Sequence, residues 1–315
     1  MRAHRRRGVL AAGLAVAALA LGACGESAEQ DASQQPQGAS LRITLGTQEF
    51  PEARILGELW RQALAVNGYA VDLRKGVGPA EDLDQELKDG TIDGYVAYTG
   101  TVLSVVAGQE VSGLDPQATY AAAKQFYAGQ DMVMSQMTPF ENKDAIATTT
   151  TFAEDNDLTE IGDLASLDSF TLGARPEFED LTLGLAGLQE TYGLDNAEFA
   201  PLELGTQYDA LDDGDADAVD AFTTDPQLDS GDYTILADPD LLFGSQNVVM
   251  VVGQSKLDRI DDRAFLRVVD TVNAELDEET MVRLNAEVTE GASDEVVAKE
   301  FLRSRGLDEP LPAND

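Results

Sequence analysis

The chain has 315 residues and a formal net charge of −37, with 58 acidic against 21 basic side chains. Such an acidic surface makes nucleic acid a poor partner, because phosphate contacts depend on lysine and arginine. The single histidine is His4 and the single cysteine is Cys24. Nucleophilic triads, zinc sites built on His or Cys, and disulfide frameworks are therefore excluded for the rest of the chain.

The first 24 residues have the pattern of an export signal. Arg2 and residues 5–7 form a cationic start, and residues 8–23 are uncharged and too short to span a bilayer comfortably. They end in the run LGAC, which resembles the bacterial lipobox and predicts a lipid on Cys24. The alternative is an ordinary cleaved signal with an incidental thiol. Residues 25–40 are polar and without periodicity, which predicts a flexible tether.

Strand-like and helical patterns then alternate. Residues 41–45 predict a strand, and the following helix has an apolar stripe that includes Ile55, Leu59 and Ala63 and stops at Gly68. The further elements of this block are a strand at 70–73, a helix at 79–88 and a strand at 92–97. This alternation predicts a parallel-type sheet covered by helices.

A second α/β block follows the same logic. It is predicted to hold strands at 170–174, 199–202, 218–222 and 233–236, with helices at 180–192 and 208–211. After a strand at 248–252 the pattern becomes helical, with one stripe from Phe265 to Leu276 and another through Val297 and Phe301. With about 275 residues after the tether, two compact units are expected.

One acidic segment suggests a metal site but lacks the residues that such a site needs. The acid-rich segment 211–220 has Ala218 where a calcium loop needs glycine, and it is better interpreted as a turn. By contrast, Tyr98 ends a strand, and the turn that runs to Thr101 opens a helix. A helix N-terminus with free backbone N–H groups favours the anionic atoms of a ligand.

Longer stretches resemble one known family. They are GTQEFPEARILGELW from Gly46, TIDGYVAYTGTVL from Thr91, TLGARPEFEDLTLGLAGLQETYGL from Thr171, ADAVDAFTTD from Ala216 and DEETMVRLNAEV from Asp277. In this order and spacing the chain resembles the glycine betaine, carnitine and choline binding proteins of osmoprotectant ABC importers, over residues 41–307. The resemblance implies a two-lobed α/β fold of the periplasmic-binding-protein type (type II), whose lobes close on a ligand.

The resemblance also implies the domain limits. After a signal at 1–23 and a tether at 24–40, the first lobe would comprise 41–143 with 247–315, and the second 144–246. Two crossover strands, near 144–149 and 246–251, would form the hinge.

In the family a cage of tyrosines holds the quaternary ammonium group through cation–π attraction. The cage positions fall here on Tyr98, Asp144, Phe222 and Gln246, and the carboxylate contacts fall on Gln48 and Thr101. The arginine that often follows the Pro-Glu-Phe stretch is replaced by Leu181. Arg175 could substitute for it, but we expect a surface residue paired with an acid.

Because Asp144 replaces part of the cage, we expect the ligand to be a cation that carries N–H groups, with quaternary ammonium compounds bound less well. The alternative is that Asp144 does not contact the ligand and instead pairs with Lys143 or faces solvent. The expected protein is a monomeric, lipid-anchored, extracytoplasmic binding protein that delivers its ligand to an ABC permease with its ATPase. No enzyme activity, cofactor or metal is expected.

Two other functions stay open. One is a ligand-sensing accessory lipoprotein of the same fold. The other is a carboxylate-dependent hydrolase, for which the acids at Glu177, Glu179 and Asp180 would supply the groups.

Overall fold

Residues 42–203, 205–260 and 262–312 are described by the computed structural model of this chain. The first part contains β1 (Arg42–Gly46), α1 (Pro51–Val66), β2 (Ala70–Arg74), α2 (Ala80–Lys88), β3 (Gly94–Tyr98), α3 (Thr99–Thr101), α4 (Pro116–Ala128) and β4 (Met132–Met134). A single π-helical stretch, Val102–Val106, continues α3. Cys24 and the predicted signal and tether lie outside the described residues.

The second part contains β5 (Asp144–Thr149), α5 (Thr150–Asp155), β6 (Phe170–Ala174), α6 (Leu185–Tyr192), β7 (Ala197–Pro201), α7 (Gln207–Asp213), β8 (Ala218–Phe222) and β9 (Tyr233–Leu236). Three 3₁₀ turns, Ile161–Ser166, Pro176–Glu179 and Pro226–Ser230, complete it. The chain then returns to the first part through β10 (Val248–Gly253), α8 (Gln254–Leu257), α9 (Asp262–Ala274), α10 (Glu278–Thr289) and α11 (Asp294–Ser304).

Two five-stranded sheets define two lobes. Their strand orders are β2-β1-β3-β10-β4 and β7-β6-β8-β5-β9. In each sheet the first three strands are parallel, and the fourth, β10 or β5, is antiparallel to both of its neighbours. The predicted parallel sheet is therefore found for three strands of each lobe. The fourth strand of each sheet, which runs the other way, is the one that follows a connection from the other lobe.

The hydrophobic core forms where the sequence pattern predicted it. In α1 the residues Ile55, Leu59 and Trp60 are fully buried, and the helix ends before Gly68, whose positive φ suits glycine. Strands β3 and β10 are apolar runs buried on both faces, as expected of central strands covered by helices on two sides. The end of β3 is thereby held rigidly, and this end carries part of the site described below.

Two connections join the lobes, one between β4 and β5 and one between β9 and β10. They lie side by side, since Glu141 and Asn247 form an antiparallel bridge. The exact lobe limits, between residues 143 and 144 and between residues 246 and 247, stay a prediction. No helix of the described residues is both long enough and apolar enough to cross a membrane.

Candidate functional site

A cavity of about 600 Å³ lies between the lobes. Both lobes and the first connection contribute to its wall. The lining residues are Gln48, Phe50, Pro51, Glu52, Ala80, Tyr98, Thr101, Asn142, Lys143, Asp144, Phe222, Thr224, Asp225, Pro226, Gln246, Asn285 and Thr289. The six residues that the sequence suggested as ligand contacts are thus brought together in one cavity, although their role stays a prediction.

The loop from β1 to α1 forms one wall. Gln48 is only 8% exposed, and its side-chain Oε1 is buried without a hydrogen-bond partner. Phe50 lies at the exposed rim, with its ring centroid 5.7 Å from that of Tyr98 and the two rings tilted by 42°. This wall therefore offers the ring of Phe50 and the side-chain oxygen of Gln48, which has no hydrogen-bond partner within the protein.

The start of α3 differs from the expectation of free N–H groups. The backbone N–H of Thr101 donates to Oε1 of Gln246 at 2.9 Å, and Nε2 of Gln246 lies 3.2 Å from the Thr101 hydroxyl. The Thr99 N–H donates to the carbonyl of Asn247. A ligand carboxylate at this helix start would have to displace Gln246.

Asp144, Arg175 and Asp220 form a partly buried charge cluster in the second lobe. Asp144 begins β5 and Arg175 follows β6, with β8 between these two strands. The guanidinium Nη1 of Arg175 lies 3.1 Å from Oδ1 of Asp144 and also hydrogen-bonds Asp220 on β8. The pairing of Arg175 with acids is thus observed, but with its side chain 18% exposed, Arg175 is not a surface residue.

Burial sets the charge state of this cluster. It raises the pKa of Asp220 to about 8, and the facing Asp144 carboxylate adds to this, while Arg175 opposes it. Burial also raises the pKa of Asp144, again against the effect of Arg175. The cluster therefore holds a proton on Asp220 near neutral pH, and Arg175 stabilises the ionised form of Asp144.

Lys143 does not pair with Asp144. Its Nζ lies 3.3 Å from Oε2 of Glu141 and 3.3 Å from the carbonyl oxygen of Gly244. The alternative of an Asp144–Lys143 pair is therefore not seen in the structure.

Phe222 ends β8 and supplies a third aromatic ring to the cavity. Its backbone N–H donates to Oδ2 of Asp225 at 2.9 Å, and the Tyr208 hydroxyl donates to the same oxygen at 3.0 Å. Burial raises the pKa of Asp225, while these two hydrogen bonds oppose the shift. Sequence analysis did not suggest Asp225, although it lies three residues after Phe222 at the end of a stretch that resembles the family.

Glu52 is the most deeply buried acid of the wall, and sequence analysis missed it. It is 2% exposed and lies in the first turn of α1. Tyr98 donates its phenol to Oε1 of Glu52 at 2.8 Å, and burial together with this carboxylate holds the pKa of Tyr98 well above its usual range. A signal was present, because Glu52 precedes Ile55 and Leu56 by three and four residues and so shares their apolar stripe.

The wall as a whole is aromatic and acidic. Phe50, Tyr98 and Phe222 provide rings, and the ionisable side chains are three acids, Glu52, Asp144 and Asp225, against the one base Lys143. Leu181, at the position where the family often has arginine, is exposed and outside the lining. Rings and carboxylates both attract cations. Among the described residues no group of three or more His, Cys, Asp or Glu side chains could hold a metal ion.

Solved structures with this fold have low sequence identity to the chain. A crystal structure of a glycine betaine/carnitine/choline ABC transporter protein is 22% identical, with a TM-score of 0.79, over 85% of this chain and 100% of the other. The apo structure of YehZ from Escherichia coli is also 22% identical, with a TM-score of 0.75, over 84% of this chain and 99% of the other. These likenesses confirm the predicted two-lobed α/β fold.

Among curated proteins, an ergothioneine transport permease/ergothioneine binding protein of Helicobacter pylori (strain G27) is 23% identical over 269 residues. The match covers 84% of this chain but only 48% of that protein, so the chain spans about half the length of this relative. A family model for the substrate binding domain of ABC-type glycine betaine transport systems matches residues 42–304. That family consists of substrate-binding domains and not of enzymes. The chain therefore belongs to the family of substrate-binding domains of ABC-type glycine betaine transport systems, as its sequence motifs predicted.

Proposed function

We propose that the chain is an extracytoplasmic binding protein that captures a small cation of the osmoprotectant or amine class and delivers it to an ABC permease with its ATPase. The observation that carries the proposal is the wall of the cavity, which combines three aromatic rings with an excess of carboxylates. Family membership supports the importer role, and the charge of the wall supports a cationic ligand.

Aromatic rings and carboxylates select different cations. A ring face attracts any cation by about 0.5–2 kcal/mol, including one that bears only methyl groups. A carboxylate acts best on N–H protons, through charge-assisted hydrogen bonds. Two cage positions hold Tyr98 and Phe222, while Asp144 and Gln246 place acceptors at the other two. We infer a preference for N–H-bearing cations over their fully methylated counterparts.

The role of Asp144 in this preference must allow for its partner Arg175, which is bound to Oδ1. We infer that the other carboxylate oxygen, Oδ2, accepts a hydrogen bond from the ligand. The guanidinium then keeps the carboxylate ionised and oriented and leaves a second acceptor for the ligand.

Calorimetry with ethanolamine and choline tests this proposal, because the two cations differ only in their N-methyl groups. Wild type is expected to bind ethanolamine more tightly. Loss of a buried charged partner typically costs about 2–5 kcal/mol in binding, so Asp144→Ala should weaken ethanolamine by well over tenfold. Asp168→Ala, at an exposed position of the same lobe, is the control and should change nothing. Tight binding of choline or glycine betaine that Asp144→Ala leaves unchanged would contradict the role given to Asp144.

We also propose that the lobes comprise residues 41–143 with 247–315 and residues 144–246, and that a ligand draws them together. Closure of this kind is a shift of population toward the state with more ligand contacts. Small-angle X-ray scattering should show a smaller radius of gyration with a bound ligand, and an unchanged radius under saturation would refute closure.

The anchoring of the chain is a further part of the proposal. It rests on the LGAC run that ends at Cys24. Mass spectrometry of the membrane-extracted protein should find a lipid on Cys24, and Cys24→Ala should give unprocessed or mislocalised protein. An unmodified N-terminus beyond Cys24 would refute anchoring.

An accessory sensor of the same fold would bind the same ligand without supporting transport. Uptake of the radiolabelled ligand by cells with and without this chain distinguishes the two roles. The importer role predicts that uptake is lost when the chain is removed, while a sensor would leave uptake intact. Sedimentation of the purified protein should give the mass of a monomer.

A further inference from the structure

Glu52 belongs to the acidic wall, but the acceptors named above for the N–H groups of the cation are those of Asp144 and Gln246. Glu52 lies in the cavity wall and is 2% exposed. An ionised carboxylate is expensive to bury unless hydrogen-bond donors surround it. The donors around Glu52, and the elements that carry them, show what the group does.

The donors come from separate parts of the molecule. On Oε1, the Tyr98 hydroxyl at the end of β3 and Nδ2 of Asn142 in the first connection donate at 2.8 and 2.9 Å. On Oε2, Nδ2 of Asn285 in α10 donates at 3.1 Å. Burial raises the pKa of Glu52, and these donors oppose the shift together with Thr224, which lies in the second lobe after β8. The carboxylate thus joins two elements of the first lobe and one connection, and it lies near the second lobe.

Asn285 extends the contact between the lobes. Its Nδ2 also donates to the backbone carbonyl of Thr224 at 2.9 Å. Because this amide nitrogen has acceptors on both lobes, its orientation is determined by both. The Asn285 side chain therefore bridges Glu52 of the first lobe and Thr224 of the second.

The sequence supports an acid at this position. Pro51 is the first residue of α1 and Glu52 the second, so the carboxylate lies at the N-terminal end of the helix, where the helix dipole favours negative charge. A glutamine in its place would keep the shape, but its amide NH₂ would face one of the donors. One of the two branches, that of Tyr98 and Asn142 or that of Asn285 and Thr224, would then be broken.

We propose that Glu52 is a positioning residue that orients the ring of Tyr98 in the cavity and couples this orientation to the contact between the lobes. Tyr98 is the aromatic ring that Glu52 holds directly, and Asn285 with Thr224 transmits the coupling to the second lobe. The proposal rests on the proposed function only where it concerns ligand affinity. The coupling itself is measured without ligand.

The test measures two quantities in the same protein, the distance between the lobes and the environment of the Tyr98 ring. For the lobes, spin labels are placed on Ser169→Cys and Ser255→Cys, two exposed serines of different lobes, in a chain that also carries Cys24→Ser. The distance distribution between the labels is recorded by electron resonance. For the ring, fluorotyrosine is incorporated, and the ¹⁹F signal of Tyr98 is assigned by its absence in Tyr98→Phe.

Glu52→Gln is expected to add longer distances between the labels and to shift the Tyr98 signal. Glu58→Gln is the matched control, because Glu58 is also a buried acid of α1 but is paired with Arg61 and Lys75. The control should lower stability and leave both signals as in wild type. The proposal is overturned if Glu52→Gln leaves the label distances or the Tyr98 signal as in wild type. It is also overturned if Glu58→Gln causes the same two changes.

Asn285→Ala provides a second test if Glu52→Gln does not fold. It retains Glu52 and removes only the branch to the second lobe. The distances between the labels should lengthen, and because coupling is reciprocal, the Tyr98 signal should shift as well. Unchanged distances in Asn285→Ala, or longer distances with a wild-type Tyr98 signal, overturn the coupling. These readouts need no ligand, so they can fail while the proposed function stands, and the reverse also holds.

Discussion

Removal of the Arg175 guanidinium tests how much the charge cluster of Asp144, Arg175 and Asp220 contributes to the stability of the fold. Arg175→Met keeps most of the aliphatic side chain and leaves Asp144 and Asp220 without their shared cation. Breaking a buried ion pair by removing one partner typically costs about 3–5 kcal/mol, because a buried charge is left uncompensated.

The structure places the expected cost at the lower end of this range. Asp220 is 1% exposed, but its pKa of about 8 allows it to stay protonated at neutral pH. The side chain of Asp144 is 28% exposed and can be partly rehydrated. We therefore expect Arg175→Met to lower the free energy of unfolding by about 3 kcal/mol. Arg175→Met with Asp220→Asn should lose about as much as Arg175→Met alone at neutral pH, because Asp220 is already uncharged there.

Urea unfolding followed by circular dichroism measures these losses. Arg42→Met is the control, since the pair of Arg42 with Asp72 lies on the surface, where ion pairs contribute little. An Arg175→Met loss no greater than that of Arg42→Met would refute the account of the cluster. A double variant clearly more stable than Arg175→Met alone would contradict the protonation of Asp220, because it would show that two charged acids repel each other in Arg175→Met.

Three other predictions concern the same framework. The raised pKa of Asp220 means that its stabilising contribution is complete below the unfolded-state value near 4 and is lost as the pH rises through about 8. The melting temperature of wild type minus that of Asp220→Asn should therefore fall between pH 5 and pH 8, and a constant difference would contradict the shift. Asn273→Leu leaves the buried indole N–H of Trp60 without its acceptor at 2.8 Å and should cost about 1–3 kcal/mol in urea unfolding, whereas a neutral result would refute this. Gly100→Ala would place a Cβ 2.6 Å from the carbonyl oxygen of Ser245, and an unchanged melting temperature would contradict the expected loss of about 1–3 kcal/mol.

Much of the fold could be predicted from the sequence because local patterns determine it. The apolar stripe of α1 and the buried runs of β3 and β10 are visible as periodicity and composition. Boundaries were less accurate. The helix predicted at 180–192 begins only at Leu185, as α6, and a 3₁₀ turn, Pro176–Glu179, precedes the predicted start. Helix α4 and strand β4 were missed.

The site could be predicted only in part. The six residues that the resemblance to the family suggested all line one cavity. The resemblance could not show which side chains pair with each other. Asp144 and Arg175 are 31 residues apart in sequence, and they meet because β8 lies between β5 and β6 in the sheet. Thr224 and Asn285, 61 residues apart, meet only through the contact between the lobes. Such pairs depend on strand order and lobe packing, which local sequence patterns do not encode.

The central claim is that the cavity binds a small cation because of its rings and carboxylates. Thermal-shift measurements on wild type test it most directly, because a ligand that binds only the folded state raises the melting temperature. The panel comprises choline, ethanolamine, glycine betaine and ergothioneine, the last being the compound named for the Helicobacter pylori relative. Choline is paired with 3,3-dimethylbutan-1-ol, which has the same shape without the charge. The account predicts that at least one of these four compounds, each of which carries a cationic nitrogen, raises the melting temperature and that the neutral alcohol does not. No shift with any member, or an equal shift with the alcohol and with choline, would contradict it.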